Sequence, residues 1–398
     1  CAAGGDPALG VDGQPVWTSS LVYQAGANPY VSSPVLAFDH YGTPSVSWSL
    51  VQTSGGDNTV FHSQLSGLGL WMHHELASGV GVGLSTSLAF DRAERPTVAW
   101  LNDTGAIKAR FNFGASEQIA DNANWDSPIL TVSYDLAGDL RGMYRTTTAE
   151  EFDEISRSGG AFQSGDMVTF DDAGTIADAA MVTDHQGLRH IAAREDVGGG
   201  QWALLLASEM VGAPPLGGWT WGRPVQADAV SGVDLAVDPT DGRLAVAYTT
   251  ESAGTSSLYY AKFNGFTFDT TTVLSSSQDL FEDLSLAFDF SDGRPGIAYE
   301  RNMSAGSDEL HFAYMDASSL WQTSLVDDSI SLETPQSGIL RPSLAFDDYG
   351  TSWPAISYVD EDGSLIVSFD PPAPEPWTGV LLCLAVACAR RRRTRSSQ

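Results

Sequence analysis

The sequence predicts an all-β fold, a seven-bladed β-propeller of four-stranded antiparallel blades, from a peptide that recurs seven times and from a matched excess and deficit of one strand at the two ends. The peptide SLAFD stands at 87–91, 285–289 and 343–347. Less similar copies of this peptide end at Asp39, Asp135, Asp184 and Asp238. Successive copies lie 44 to 58 residues apart, which suits a four-stranded blade. Because stacked repeats share one structure, we predict a single domain over residues 15–370.

Each copy of the repeat contains the pattern of several strands. Large residues such as Leu88 and Phe90 alternate with a small one before the aspartate, which predicts a first strand buried on both faces. A second strand carries an aromatic residue nine to eleven positions past the aspartate, at Trp48, Trp100, Tyr144, Tyr248, Tyr299 and Tyr358. The fourth copy has Ala192 and Ala193 instead. A third strand follows, and we expect the fourth to begin at an aromatic residue, as at Trp71, Phe266 and Trp321.

The last copy is one strand short. After the first three strands of this copy, the chain runs directly into the proline-rich segment at 371–376. The segment from Val16 to Val22 precedes the first copy and has the character of a fourth strand. If it completes the last blade, the ring closes by main-chain hydrogen bonds and leaves no free sheet edge. We therefore predict closure by an N-terminal strand.

The repeated aspartate ends a strand and begins a turn, where its carboxylate can accept nearby backbone N–H groups. We expect turn capping rather than metal binding, and no cofactor; calcium is the alternative that the seven carboxylates keep open. Asp360 to Gly363 is predicted to form a hairpin turn, because no glutamate closes a calcium loop there. The sequence contains no HExxH, G-x-S-x-G or phosphate-binding glycine motif.

The net charge of the chain restricts the classes of partner that it can bind. The formal net charge is -30, with 50 acidic and 20 basic residues, and five of the basic residues lie at 390–395. Such an acidic surface repels phosphate backbones, so nucleic acid is not an expected partner. Cys383 and Cys388 lie near the C-terminus and Cys1 is the first residue, so the repeat region contains no disulfide.

The two ends of the chain predict where the protein is located in the cell. Cys1 opens a small flexible tether at 1–14 and resembles the lipidated cysteine of bacterial lipoproteins; the alternative is a chain trimmed at that point. A proline-rich linker at 371–376 precedes a tail at 377–398. The tail contains an uncharged, mainly apolar run of thirteen residues at 377–389 and then the cluster Arg390, Arg391, Arg392 and Arg393. With Pro374, Glu375 and Pro376, this order resembles the PEP-CTERM signals that exosortases are thought to recognise and cleave. The alternative is a generic membrane anchor with its arginines in the cytoplasm.

The repeats also resemble those of sialidase-like and other secreted bacterial propellers, in units of the form FD-x-x-G-x-P-x-(V/I)-A-(W/Y). The chain departs from that class, because no intact S-x-D-x-G-x-x-W motif is present and neither its arginine triad nor its Tyr/Glu pair can be assigned. Propellers bind ligands on loops that lead from a fourth strand into the next first strand. The predicted ligand-binding residues on such loops are Asn28, Tyr30, Asn124, Trp125, Asp126, Asp279 and Asp283.

The sequence favours an exported surface or matrix protein that binds a glycan or a protein without enzymatic activity. The resemblance keeps a second hypothesis open, a secreted glycan-active enzyme, either a sialidase-like glycosidase or a lyase. A glycosidase needs two facing carboxylates, and the sequence does not single out a pair. A cluster of carboxylates or arginines converging on the channel mouth would count against the binding hypothesis.

Overall fold

The computed structural model describes residues 17–26, 29–52, 55–124, 129–135, 138–148, 151–158, 160–170, 175–199, 201–210, 219–226, 229–303, 308–330, 341–347 and 352–370. These residues form strands and turns and contain no helix. The predicted tether at 1–14, the linker at 371–376 and the tail at 377–398 lie outside the described residues. The described part therefore contains no helix long and apolar enough to cross a membrane.

The strands form seven four-stranded antiparallel sheets, the blades of the predicted propeller. The first blade contains β2 Pro29–Phe38, β3 Pro44–Gln52, β4 Asn58–Leu65 and β5 Trp71–Gly79. The second contains β6 Ser85–Phe90, β7 Pro96–Leu101, β8 Ile107–Phe111 and β9 Ser116–Ala120. The third contains β10 Leu130–Tyr134, β11 Leu140–Arg145, β12 Glu151–Ser158 and β13 Ala161–Thr169. The fourth contains β14 Ile176–Thr183, β15 Arg189–Gly198, β16 Gln201–Glu209 and β17 Trp219–Gln226.

The remaining three blades complete the ring. The fifth contains β18 Ala229–Val237, β19 Leu244–Ser252, β20 Thr255–Phe263 and β21 Phe268–Ser276. The sixth contains β22 Asp279–Phe288, β23 Pro295–Met303, β24 Asp308–Met315 and β25 Trp321–Ile330. The seventh contains β26 Ser343–Phe346, β27 Pro354–Val359, β28 Leu365–Phe369 and β1 Thr18–Tyr23.

The N-terminal strand closes the ring as predicted. β1 pairs antiparallel with β28, with Thr18 opposite Phe369 and Leu21 opposite Ile366. The strand starts at Thr18, and Val16, where the prediction began, lies outside the described residues. The indole N–H of Trp17 also donates to Ser324 of the sixth blade at 3.1 Å. The two ends of the repeat region are thus joined by main-chain and side-chain hydrogen bonds.

Seven hydrophobic cores hold the blades together, one between each pair of neighbours. In the sixth blade, Leu286 and Phe288 pack against the fifth blade, whereas Ala287 packs against the seventh. The predicted large and small faces of the first strand are therefore confirmed. The second-strand aromatics Trp48, Trp100 and Tyr144 are fully buried, and in the fourth blade Ala192 and Ala193 take the equivalent buried place.

Six of the seven repeated aspartates cap turns, as predicted. Asp39 Oδ1 accepts the N–H groups of Tyr41 and Thr43, and Asp184 Oδ1 accepts those of Gln186 and Leu188. The hairpin turn predicted at Asp360 is also present, with Asp360 Oδ1 accepting the N–H of Ser364 at 2.7 Å. These carboxylates serve the scaffold.

One strand boundary was wrong. Phe266 does not begin the fourth strand of the fifth blade, which starts at Phe268. Asn264 Oδ1 accepts the N–H groups of both Phe266 and Thr267, so the amide side chain holds these residues in a turn. The Phe266 ring is 94% exposed at the tip of that turn. The aromatic periodicity did not detect this side-chain cap.

Candidate functional site

A cavity of about 230 Å³ lies on the axis of the ring, where the first strands of all seven blades meet. Two positions of the repeat supply most of its polar lining. The position six residues before the repeated aspartate carries Ser33, Ser85, Ile129, Asp178, Gly232, Asp283 and Arg341 in the seven blades. The position four residues before it carries Val35, Ser87, Thr131, Ala180, Asp234, Ser285 and Ser343. Because these two repeat positions line the channel, a residue that differs between blades changes the side chains around the channel.

A single arginine connects three blades across this channel. Arg341 of the seventh blade places Nη2 2.5 Å from Asp178 Oδ2 of the fourth blade and Nε 3.3 Å from Asp283 Oδ1 of the sixth. Burial acts to lower the pKa of Arg341, but the carboxylates of Asp178 and Asp283 raise it above its ordinary value. The guanidinium thus stays charged and bridges the channel.

A β-bulge directs Asp283 to the channel mouth. The pairing of β22 with β23 shifts register between Phe281 and Leu284, so Glu282 and Asp283 leave the regular ladder. Gly232 of the fifth blade permits this approach, because a Cβ there would lie only 3.2 Å from the Glu282 carbonyl oxygen. Asp283 retains 36% exposure of its side chain. It is accordingly available to a ligand at the mouth.

Further charged groups surround this bridge. Glu300 lies on the second strand of the sixth blade and is 3% exposed. Burial raises its pKa well above the ordinary value, and the nearby carboxylates of Asp283, Glu282 and Asp308 raise it further. On the fourth blade, Arg194 donates to the main-chain carbonyl of Ser231 at 2.8 Å. The cluster contains more carboxyl groups than guanidinium groups.

Asp234 serves a different purpose within the same channel. Its Oδ2 accepts the main-chain N–H of Leu286 in the next blade at 2.7 Å. Serines at the same repeat position make the equivalent link, in which Ser285 accepts from Leu344, Ser343 from Leu36 and Ser87 from Val132. Burial raises the pKa of Asp234 to about 6. The first residue of SLAFD is thus a hydrogen-bond link between blades, a role that sequence reasoning missed.

Of the predicted ligand-binding residues, the structure brings Asp283 into this cluster. Asp279 instead pairs with Arg301, with Oδ2 to Nη2 at 2.8 Å. Tyr30 is half-buried at the start of β2, and burial raises its pKa. Asn124 donates its main-chain N–H to the Arg145 carbonyl at 2.8 Å. Asn28, Trp125 and Asp126 lie outside the described residues.

Sequence reasoning missed Asp178, Arg194, Glu300 and Arg341. The signal was present, because Arg341 is the single basic residue at its repeat position and Asp178 one of two acidic ones. Comparison of the seven copies at this position would have singled out Arg341 and Asp178. Among the residues that the structure describes, no group of three or more His, Cys, Asp or Glu side chains is arranged to hold a metal ion. The expectation of no cofactor stays a prediction.

The fold and its channel define the protein as a seven-bladed β-propeller. No family model matches the sequence, and no curated protein matches it. Among solved structures, the chain is similar to Kuenenia stuttgartiensis hydrazine synthase, with a TM-score of 0.53 and 10% identity over 86% of this chain and 96% of that one.

Two further solved structures share less of the geometry. A protein from Lactobacillus plantarum has a TM-score of 0.48 and 11% identity over 87% of this chain and 97% of that one. NanB with Optactamide has a TM-score of 0.45 and 11% identity over 88% of this chain and 69% of that one. At these identities, the likeness to solved structures concerns the fold alone.

Proposed function

We propose that the protein is an exported propeller that binds a donor-rich ligand at the channel mouth without converting it. The observation that carries this proposal is the excess of carboxyl groups around Arg341. Asp283, Glu282 and Asp308 accept hydrogen bonds when ionised, and they repel anions. The ligand class that matches is a glycan or protein segment presenting hydroxyl or ammonium groups. An anionic glycan would need an excess of arginine and lysine.

A cluster of carboxylates and arginines at the channel mouth is the feature that was expected to count against the binding hypothesis. Its internal pairing supports binding nevertheless. Arg341 is held between Asp178 and Asp283, and Asp234 is committed to the N–H of Leu286. These groups have structural partners before any ligand arrives, whereas a catalytic acid needs a free path to its substrate.

One observation favours the alternative, a glycan-active enzyme. Burial raises the pKa values of Glu300 and Asp234, which is the shift that a general acid requires near neutral pH. Incubation of the full chain with neutral glycan libraries, followed by analysis of reducing ends and unsaturated products, tests this alternative. Turnover that is lost in Glu300→Gln would overturn the binding proposal.

The binding proposal itself is tested with two matched aspartates on β22. Asp283→Asn removes charge at the mouth, whereas Asp279→Asn removes charge from the pair with Arg301. We expect calorimetric titration with a chitosan oligomer, which carries both ammonium and hydroxyl groups, to show weaker binding by Asp283→Asn and unchanged binding by Asp279→Asn. Equal affinity of both variants and the wild type would contradict a site at the mouth.

The proposal includes the cellular location of the protein. The order of proline segment, apolar run and arginine cluster after residue 370 supports export, recognition by an exosortase-like sorting protease and contact with the membrane through the tail or a lipid on Cys1. Mass spectrometry of the exported protein tests the processing step. A mature chain that still carries 390–398 would contradict cleavage of the tail.

A further inference from the structure

The two faces of the propeller differ in their exposed apolar side chains. In each blade, the turns after the first and third strands lie on one face, because the four strands alternate in direction. We call this the turn face, and the opposite face, where the first strands begin, the mouth face. Nine large apolar residues of the described chain stand exposed on or beside the turns of the turn face: Tyr41, Leu68, Leu70, Met72, Phe113, Met210, Phe266, Phe290 and Leu320.

These side chains come from five of the seven blades and lie on or beside seven different turns. The most exposed are Phe266 at 94%, Leu68 at 70% and Tyr41 at 68%. By comparison, the mouth face exposes Val80, Val197 and Leu280 among the described residues. Isolated exposed apolar residues are common, but those of the described residues are concentrated on one side of the ring.

Both described ends of the chain also reach the turn face. β28 is the third strand of its blade and ends there, at Phe369 followed by Asp370. β1 begins beside it, with Thr18 opposite Phe369. Residues 371–376 can span at most about 20 Å even when fully extended. The apolar run at 377–389 is therefore attached to the chain within about 20 Å of the point where β28 ends on this face.

We infer that the turn face rests on a lipid bilayer, with its apolar tips inserted between the headgroups. The inference rests on the proposed membrane contact of the tail, and the tips are an independent observation. Separate protruding side chains suit insertion into an interface, as in other proteins that lie on membranes. Arg92 is exposed on a turn of the same face and can meet a lipid phosphate, whereas Arg95 and Arg243 are paired with Asp91 and Asp241. The channel mouth then points away from the membrane, toward soluble or extracellular ligands.

Site-specific labelling in the full chain tests the orientation. Cys1, Cys383 and Cys388 are the three cysteines of the chain, so their replacement by serine leaves a background for one new label. Phe266→Cys places bimane on the turn face, and Val80→Cys, also exposed, places it on the mouth face. The labelled proteins are reconstituted in vesicles of phosphatidylethanolamine and phosphatidylglycerol that carry lipid-attached nitroxide quenchers.

We expect the label at position 266 to shift its emission to the blue and to be quenched only when vesicles are present, and the label at position 80 to show neither change. Unquenched labels at both positions on a chain that floats with the vesicles would overturn the inference while leaving the tail as an anchor. Flotation is also measured on the wild-type chain with its cysteines intact, and a wild-type chain that does not float would overturn both proposals. Shielding of position 266 without vesicles would indicate a protein partner instead of lipid.

Discussion

Arg341 Nη2 lies 2.5 Å from Asp178 Oδ2, and this ion pair joins the seventh blade to the fourth across the central channel. Asp178 keeps 4% exposure of its side chain and Arg341 keeps 26%. Removal of one partner from such a pair leaves the other charge without compensation in a poorly solvated site.

We therefore expect Arg341→Met to lower the free energy of unfolding by about 3 kcal/mol in urea denaturation, because Asp178 loses its charged partner. The matched control is Arg301→Met, whose pair with Asp279 lies nearer solvent and should cost at most about 1 kcal/mol. The double variant Arg341→Met with Asp178→Leu should recover most of the loss. Equal effects of the two single arginine variants would contradict the role of the bridge.

Asp234 gives a prediction about pH. Its folded-state pKa of about 6 lies above its ordinary value of 3.8, so the folded state binds the proton more tightly than the unfolded state. This group then adds stability as the pH falls from about 7 to about 4 and costs stability above that range. We expect Asp234→Ser to be more stable than the wild type at pH 8, and to have a smaller advantage at pH 5.

The serine variant keeps a hydroxyl that can accept the Leu286 N–H, as Ser285 does for Leu344 in the next blade. Asp234→Ala, which lacks an acceptor, is the control and should be less stable than Asp234→Ser at both pH values. Urea midpoints measured at the two pH values decide the matter. A serine variant with the same pH profile as the wild type would refute the assignment.

His62 predicts the opposite dependence on pH. It is 1% exposed on β4, and burial followed by repulsion from His74 lowers its pKa to about 4. The unfolded state therefore binds a proton near pH 6.5, whereas the folded state binds it only near pH 4. The free energy of unfolding accordingly falls by about 3 kcal/mol between pH 6.5 and 4. We expect His62→Gln to flatten this part of the stability profile. Urea midpoints measured across this range give the profile, and an unchanged slope in His62→Gln would contradict the assignment.

The closing strand gives the last prediction. Deletion of Val16 to Val22 removes all of β1 except Tyr23, exposes the edge of β28 and deletes the Trp17 hydrogen bond to Ser324. We expect a large fall in the thermal unfolding temperature, because the seventh blade loses its fourth strand. Deletion of 1–14 is the control and should change little. An unchanged unfolding temperature after loss of β1 would refute closure by this strand.

The candidate site was predictable only in part. Asp283 was chosen because it stands in a loop that leads into a first strand, and the structure places it at the mouth. Asp279, four residues earlier, looked equivalent in sequence but pairs with Arg301. The bulge between Phe281 and Leu284 gives Asp279 and Asp283 different environments. A β-bulge has no clear sequence pattern that one sequence would reveal.

The sequence by itself determined the strand order, the number of blades, the residues that face each neighbour and the closure of the ring. These properties depend on local signals, namely period-two alternation, turn residues and a regular repeat. Only the tertiary structure decided that Arg341 meets Asp178, 163 positions away along the chain. It likewise decided that the apolar turn tips and both described chain ends share one face. The physical reason is that closure of the ring brings equivalent positions of distant blades to one axis, and the identity of those side chains then sets the charge of the channel.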